Sequence, residues 1–244
     1  MDKTAIIIPA RYGSSRLEGK PLLVVAGKPV IQWVYEKAQQ SKLADIIIVA
    51  TDDKRIYDCV TAFGGIAEMT SENHKSGSDR IMEVVSRHLE IDYICNLQGD
   101  EPLIKPESID AVIKNVIEDD KADISTLIRK INSEEANNPN LVKCVTDKNG
   151  FALYFSRSKI PYERNSNVAT FYGHLGIYGY KRKALEEMTK LPQTNLEITE
   201  SLEQLRALEN GMRIKTSVVD FVPVGIDTKE DLEQFRQIVE QKLK

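Results

Sequence analysis

Short, almost wholly apolar runs alternate along this chain with longer stretches whose apolar residues recur every three or four positions, the patterns of buried strands and amphipathic helices. The first run starts at Ile6 and breaks at Pro9 into a polar loop. Pro29 then opens a helix with Val30, Trp33, Val34 and Ala38 on one face. Asp45–Ala50 reads as a buried strand ending at Thr51-Asp52-Asp53, so strand, helix and strand predict a right-handed βαβ unit. A helix bearing Ile56, Cys59, Val60 and Phe63 closes at Gly64-Gly65, and a short strand follows near Ile66–Met69. The next helix carries Ile81, Val84, Val85 and Leu89 inward, with Ser78 and Asp79 placed either to cap it or to bind a ligand. Strand Tyr93–Leu97, helix Pro106–Glu118 and strand Ile124–Ile131 continue the alternation.

From Val142 the pattern changes. Beta-like runs at Val142–Thr146, Ala152–Ser156 and Leu175–Tyr180 succeed one another without long helices, and Lys148-Asn149-Gly150 is a hairpin turn signal. This predicts an antiparallel excursion over about 142–180, including an exposed loop at Ile160–Tyr172, as a candidate for dimer contacts. Beyond it the spacing predicts helices over Lys183–Leu191 and Leu196–Asn210, the latter with Leu202, Leu205 and Leu208 inward and Gly211 as terminator. A strand over Arg213–Val219 and a helix capped by Thr228, with Leu232, Phe235, Ile238 and Val239 inward, complete the set. The fold expected is α/β, one compact domain around a doubly wound, mostly parallel sheet.

Composition narrows the function. With 244 residues, a net charge of −4 and 41% hydrophobic residues, the chain has the make-up of an ordinary globular protein. Its charge leaves no electrostatic footprint for nucleic acid or for an anionic membrane, so a basic cluster must serve a local anion. Cys59, Cys95 and Cys144 are odd in number and lack metal-type spacing, which argues for reduced core residues. With no leader pattern and no stretch of roughly 20 apolar residues, a cytoplasmic protein is expected.

The candidate chemistry sits at strand ends. Ile6–Leu22 passes from strand to a loop in which Arg11, Arg16 and Lys20 bring positive charge, Ser14 and Ser15 bring hydroxyls, and Gly13 and Gly19 allow close backbone approach to an anion. It is not a Walker A loop, because Gly13 and Gly19 enclose five residues and Pro21 follows Lys20. Asp100, after a strand, and Asp227, before the last helix, are placed either as turn carboxylates or as holders of a divalent cation against phosphate oxygens. Arg157 reads as a strand-end charge, His174 and Tyr178 as core residues and Glu197 as a first-turn carboxylate when each is taken alone. Gathered at one sheet edge, phosphate donors and paired carboxylates form a nucleotidyl-transfer layout.

Seven motifs in order, PARYGSSRLEGKPL, MTSENHKSGSDR, NLQGDEPLI, ALYFSRSKIPY, HLGIYGY, ESLEQLRALENG and GIDTKEDLE, closely resemble the 3-deoxy-manno-octulosonate cytidylyltransferase (CMP-Kdo synthetase) family over nearly the whole chain. The resemblance implies a Rossmann-like fold of the nucleotide-diphospho-sugar transferase type, one nucleotidyltransferase domain over 1–244, and transfer of CMP from CTP to the sugar acid Kdo for lipopolysaccharide or capsule. It implies Arg11, Ser14, Arg16 and Lys20 for the triphosphate, with Lys20 stabilising developing charge, and Ser78 and Arg80 for cytosine. It also implies Mg²⁺ on Asp100 and Asp227, a sugar-acid site of Gln98, Arg157, His174, Tyr178 and Glu197, and a homodimer. Arg157 suits the substrate carboxylate because its planar fork can make paired bonds. No general base stands out, and Asp100 or the metal could serve. Glu18 replaces the usual Pro and is expected to point outward, while Ile198-Thr199 depart from the common pattern near the expected sugar site. That second departure leaves room for another acceptor, such as 8-amino-3,8-dideoxy-Kdo or a sialic acid. A glycosyltransferase and a non-catalytic nucleotide-binding module are the readings from other classes.

Overall fold

The computed structural model describes residues 2–13, 17–165, 168–222 and 225–242. Its contacts group into two compact units, one of residues 1–110 with 223–244 and one of residues 111–222. Among the described residues no helix is long and apolar enough to cross a membrane.

The first unit is built on parallel strands. β1 (Lys3–Ala10) is followed by a two-stranded ribbon of β2 (Val24–Val25) and β3 (Lys28–Pro29), then by α1 (Val30–Ala38), β4 (Ile46–Thr51), α2 (Lys54–Ala62), β5 (Ala67–Met69), α3 (Gly77–Arg87) and β6 (Ile91–Asn96). β1 pairs in parallel with β4 on one side and β6 on the other, and β4 pairs in parallel with β5. Because both faces are covered, these strands are apolar throughout rather than alternating; Ala5 to Ile8, Ile48 to Ala50, and Ile94 with Cys95 are all buried. α2 opens on Asp53, whose side chain accepts from the Arg55 N–H. α3 is capped by Ser76 rather than by Ser78 or Asp79, and it ends at Arg87, which leaves Leu89 80% exposed instead of inward. α4 (Pro106–Glu118) carries the chain out of this unit.

The chain returns to the first unit as the C-terminal helix Lys229–Lys242, where Thr228 accepts from the Asp231 N–H as expected of a cap. Its apolar stripe, Leu232, Phe235 and Val239, packs with Ile226 against Leu17, Val25 and Val30, with Leu23, Trp33 and Leu103 at the edge. The rings of Trp33 and Phe235 meet edge to face at 5.8 Å.

The second unit mixes directions. β7 (Ile124–Ile131) is followed by β8 (Lys143–Thr146), β9 (Ala152–Ser156), β10 (Phe171–Lys181), α5 (Arg182–Lys190), α6 (Asn195–Glu200), α7 (Gln204–Glu209) and β11 (Ile214–Val218). β7 runs antiparallel to β10 and parallel to β11, while β8 pairs antiparallel with β9 and touches β10 at one position. This is the antiparallel excursion, although β10 begins earlier than the predicted run because Phe171 belongs to a buried cluster with Ile131 and Ala136. Lys143 is fully buried, and its ammonium donates to the carbonyls of Asn138 (2.8 Å), Leu141 (2.7 Å) and Arg157. Burial pulls its pKa down. The single helix expected over Leu196–Asn210 is two, because Ser201 takes a left-handed conformation at φ 53°.

The stripe on the C-terminal helix fixes where Asp227 lies, so its cost of removal is measurable. Phe235→Ala is expected to destabilise the first unit by about 3–5 kcal/mol, the range for a fully buried aromatic. A loss of less than about 1 kcal/mol in the free energy from denaturant unfolding would contradict the packing described.

Candidate active site

The loop after β1 is closed at its base. Gly19 has φ 66°, a conformation that favours glycine, and its N–H donates to the Tyr12 carbonyl at 2.9 Å rather than facing an anion. A Cβ at Gly19 would stand 3.1 Å from the Tyr12 ring, which the Arg55 guanidinium covers from 3.3 Å. A short 3-10 turn, Lys20–Leu22, then aims Lys20 inward. Its Nζ lies 2.7 Å from Asp100 Oδ2 and 3.0 Å from Asp227 Oδ1. Three segments that are distant in sequence thus meet at one ammonium. Asp100 follows β6 through Gly99, where a Cβ would crowd the Pro9 carbonyl at 3.1 Å, and its own carbonyl accepts from the Ile226 N–H at 2.9 Å.

The electrostatics follow from this packing. Burial lowers the Lys20 pKa, but the two carboxylates outweigh it and hold the ammonium above its ordinary value. Glu101, which sequence reasoning passed over, is pushed up to about 8 by burial first and by Asp100 and Asp227 next, with Lys20 opposing. Its Oε2 is buried and has no hydrogen-bond partner among the described residues. Asp231, also missed, accepts from the N–H groups of Asp227 (2.9 Å) and Thr228 (2.8 Å) and so fixes the backbone of Asp227. The Thr228-x-x-Asp231 spacing, a capping-box pattern, was the signal for it.

A cavity of about 310 Å³ opens beside Lys20 and Asp100, walled by Ala10, Arg11, Gly13 and Gln98. Gln98 donates to Asn96 at 3.0 Å. Arg80 is fully buried, donating from Nη2 to Asp52 at 2.5 Å and from Nη1 to Thr70, so its guanidinium ties together the ends of β4 and β5. Ser78 is buried on the same helix. Ser14 and Arg16 lie outside the described residues. Glu18 is exposed, as its replacement of proline led us to expect.

The remaining expected residues belong to the second unit. Arg157 donates from Nε to the Glu200 carbonyl at 2.7 Å and from Nη1 to the Pro139 carbonyl at 3.2 Å. The Glu200 carboxylate accepts from Ser156 Oγ (2.6 Å) and from the Arg157 N–H (2.9 Å). Glu197, by contrast, is buried in a paired bond to Arg206, at 2.8 Å from Nε and 2.5 Å from Nη2. Glu200 is thus the carboxylate that reaches Arg157, while Glu197 is engaged by Arg206. Ile198 and Thr199 are exposed. His174 and Tyr178 are half-buried on β10 with ring centres 5.4 Å apart, and Phe155 meets His174 edge-on at 5.0 Å. Burial pushes the His174 imidazole down to about 3, so it is neutral near pH 7, and lifts the Tyr178 phenol well above its ordinary value.

The fold is shared at low sequence identity. The 4-diphosphocytidyl-2C-methyl-D-erythritol synthase of Anaerococcus prevotii superposes with a TM-score of 0.64 at 12% identity, covering 98% of this chain and 96% of that one. The Cytidylyltransferase family model matches residues 5–214. The chain is 52% identical over 229 residues to the 3-deoxy-manno-octulosonate cytidylyltransferase of Fusobacterium nucleatum, covering 93% of each, and 46% identical over 243 residues to that of Escherichia coli, covering 100% of this chain and 98% of the other. A solved CMP:2-keto-3-deoxy-manno-octonic acid synthetase complexed with CTP superposes with a TM-score of 0.96 at 45% identity, covering 99% of this chain and 100% of that one. The chain belongs to the 3-deoxy-manno-octulosonate cytidylyltransferase family.

Glu101 supplies a pH test in the metal-free protein. Its folded pKa lies above the unfolded value near 4.5, so the folded state holds a proton that the unfolded chain has lost between those values. Stability from this group is present below about pH 4.5 and is lost as pH rises toward 8. Glu101→Gln, neutral at every pH, should therefore gain on the parent as pH rises, by at most ~1.4 kcal/mol per pH unit across that window. Melting temperatures from pH 5 to 9 in chelator read the difference; a flat one would mean that Glu101 is ionised throughout.

Proposed function

We propose that this chain transfers CMP from CTP to the anomeric hydroxyl of Kdo, releasing pyrophosphate, the activity for which its family is named. The observation that carries the reading is the cation already held between Asp100 and Asp227 at the wall of a polar cavity. In this reading the sugar hydroxyl oxygen forms a bond to the α-phosphorus as the bond from that phosphorus to the bridging oxygen of pyrophosphate breaks, and the hydroxyl proton passes to a base, for which Asp100 is the candidate. Lys20 donates to the phosphate oxygens, Arg11 and Arg16 with Ser14 steady the triphosphate, and Ser78 and Arg80 support the cytosine site. The Arg80 guanidinium, tied to Asp52 and Thr70, would shape the β4 and β5 ends, while its buried Nε has no partner among the described residues and stays available to donate.

Two hard carboxylates that already share an ammonium fit Mg²⁺, with the triphosphate to supply further oxygen donors. Bound there, Mg²⁺ would spread the negative charge growing on the phosphates. For the sugar acid the family resemblance implies Gln98 of the first unit and Arg157, His174, Tyr178 and Glu197 of the second, where Glu197 is paired with Arg206 and Glu200 lies next to Arg157. Arg157 retains N–H groups beyond those bonded to carbonyls and suits the substrate carboxylate. Exposed Leu153, Tyr162 and Val168 support the 142–180 excursion as the contact surface of a homodimer.

Pyrophosphate release from CTP and Mg²⁺ against Kdo, 8-amino-3,8-dideoxy-Kdo, a sialic acid and no acceptor tests the reading. Kdo should give the highest kcat/KM, with none released when chelator is added. Release with a different acid would move the acceptor, and no release with any would sink the assignment. Lys20→Met should lower kcat by about 10²–10³, the usual loss for one donor aimed at developing charge; a variant within threefold of the parent would remove Lys20 from the chemistry.

A further inference from the structure

β10 is bulged between Leu175 and Tyr178, where its register against β7 shifts, and the extra residues are held from behind by one side chain. That side chain is Thr126, fully buried on β7 opposite Tyr178. Its Oγ1 lies 2.8 Å from the Ile177 carbonyl, 3.1 Å from the Leu175 carbonyl and 2.9 Å from His174 Nε2. A threonine hydroxyl has one proton to give and two lone pairs to receive with, and a carbonyl oxygen can only accept. Two carbonyls at these distances require the proton to point at them, since three acceptors facing one another would leave buried lone pairs in repulsion. The imidazole must then be the donor, with Nε2–H directed at Oγ1.

We propose that Thr126 is a positioning residue that fixes His174 in the neutral tautomer protonated at Nε2, leaving Nδ1 as a pure hydrogen-bond acceptor for a hydroxyl of the sugar acid. The low basicity of the buried ring agrees with a single proton on it. The edge contacts with Phe155 and Tyr178 hold the ring plane. A ring fixed this way accepts an O–H and repels a carboxylate oxygen. It therefore reads the polyol part of a substrate whose acid group needs a cation such as Arg157. The hydroxyl clause rests on the assignment of His174 to the sugar-acid site; the tautomer does not.

The test is the long-range ¹H–¹⁵N spectrum of the full chain with ¹⁵N-histidine, the signal of His174 among three histidines being identified by its absence in His174→Gln. Near pH 7.5 it should show Nε2 protonated and Nδ1 bare. An Nδ1–H tautomer or an imidazolium would overturn the proposal, even if every Thr126 variant failed to fold. Thr126→Val should give a mixed tautomer signal and raise KM for Kdo about tenfold, the loss of one oriented hydrogen bond, with KM for CTP within twofold. Thr126→Ser should restore both. An unchanged tautomer in Thr126→Val would also overturn the role of Thr126. The expected tautomer together with an unchanged KM for Kdo in His174→Gln would instead remove His174 from the sugar site and leave the tautomer assignment standing.

Discussion

Everything in the first unit that bears on chemistry depends on keeping Asp100 and Asp227 near each other with Glu101 at their side. Three carboxyl groups in a half-buried space repel unless a cation or a proton intervenes. The structure uses both: the Lys20 ammonium bridges the two aspartates, and Glu101 is pushed toward its protonated form. The geometry is expensive to hold because the participants come from the first loop, the end of β6 and the entrance to the last helix. The Leu17, Val30, Ile226 and Phe235 cluster lies among those segments and supplies the apolar burial that keeps them in place. Asp231 adds a local device by binding the Asp227 and Thr228 amides, so that the carboxylate is aimed by its own helix.

Two charges expected at the site are also held in buried ion pairs. Arg80 is fully buried against Asp52 and Thr70, and Glu197 against Arg206, and removing one member of such a pair typically costs about 3–5 kcal/mol because the other charge stays behind. Buried charge is tolerated where its hydrogen-bonding capacity is met, which Lys143 achieves with three backbone carbonyls and no carboxylate. One of those carbonyls belongs to Arg157, so the buried lysine holds the backbone of that arginine in place. Function and stability are distributed over neighbouring residues of the same type, and only their partners tell them apart.

That is also the boundary of what could be read from sequence. Strands buried on both faces, such as β1 and β4, declare themselves as unbroken apolar runs, and the ends of β1 and β6 mark the loops that carry Lys20 and Asp100, while Asp227 is marked by the start of the last helix. Spacing failed where a single local bond decides the outcome. Ser76, not Ser78, caps α3, because the side chain that reaches the Asp79 amide wins. The helix break at Ser201 is invisible to periodicity, since the leucines on both sides keep helical spacing; its neighbour Glu200 is drawn to Ser156 and Arg157 instead. Glu197 and Glu200 lie one turn apart on the same short helix, and spacing alone does not show that the first pairs with Arg206 and the second with Arg157. Glu101 and Thr126 carry no pattern at all, for a buried carboxyl and a strand threonine become informative only when their neighbours are known.

The second unit meets a constraint opposite to that of the first. If His174 and Tyr178 read the hydroxyls of a sugar acid as proposed, they have to do so while neutral and fixed in direction, leaving the charge to Arg157. A histidine meets that need only if one nitrogen is protonated and the other is not, and an unassisted ring exchanges between the two forms. β10 resolves the matter with backbone geometry: the bulge turns two carbonyls toward one threonine hydroxyl, those carbonyls use up its proton, and its remaining lone pair leaves the imidazole a single compatible state. The irregularity in the strand is thereby the source of the directionality, and a regular β10 paired in full register with β7 would leave Thr126 with nothing to orient.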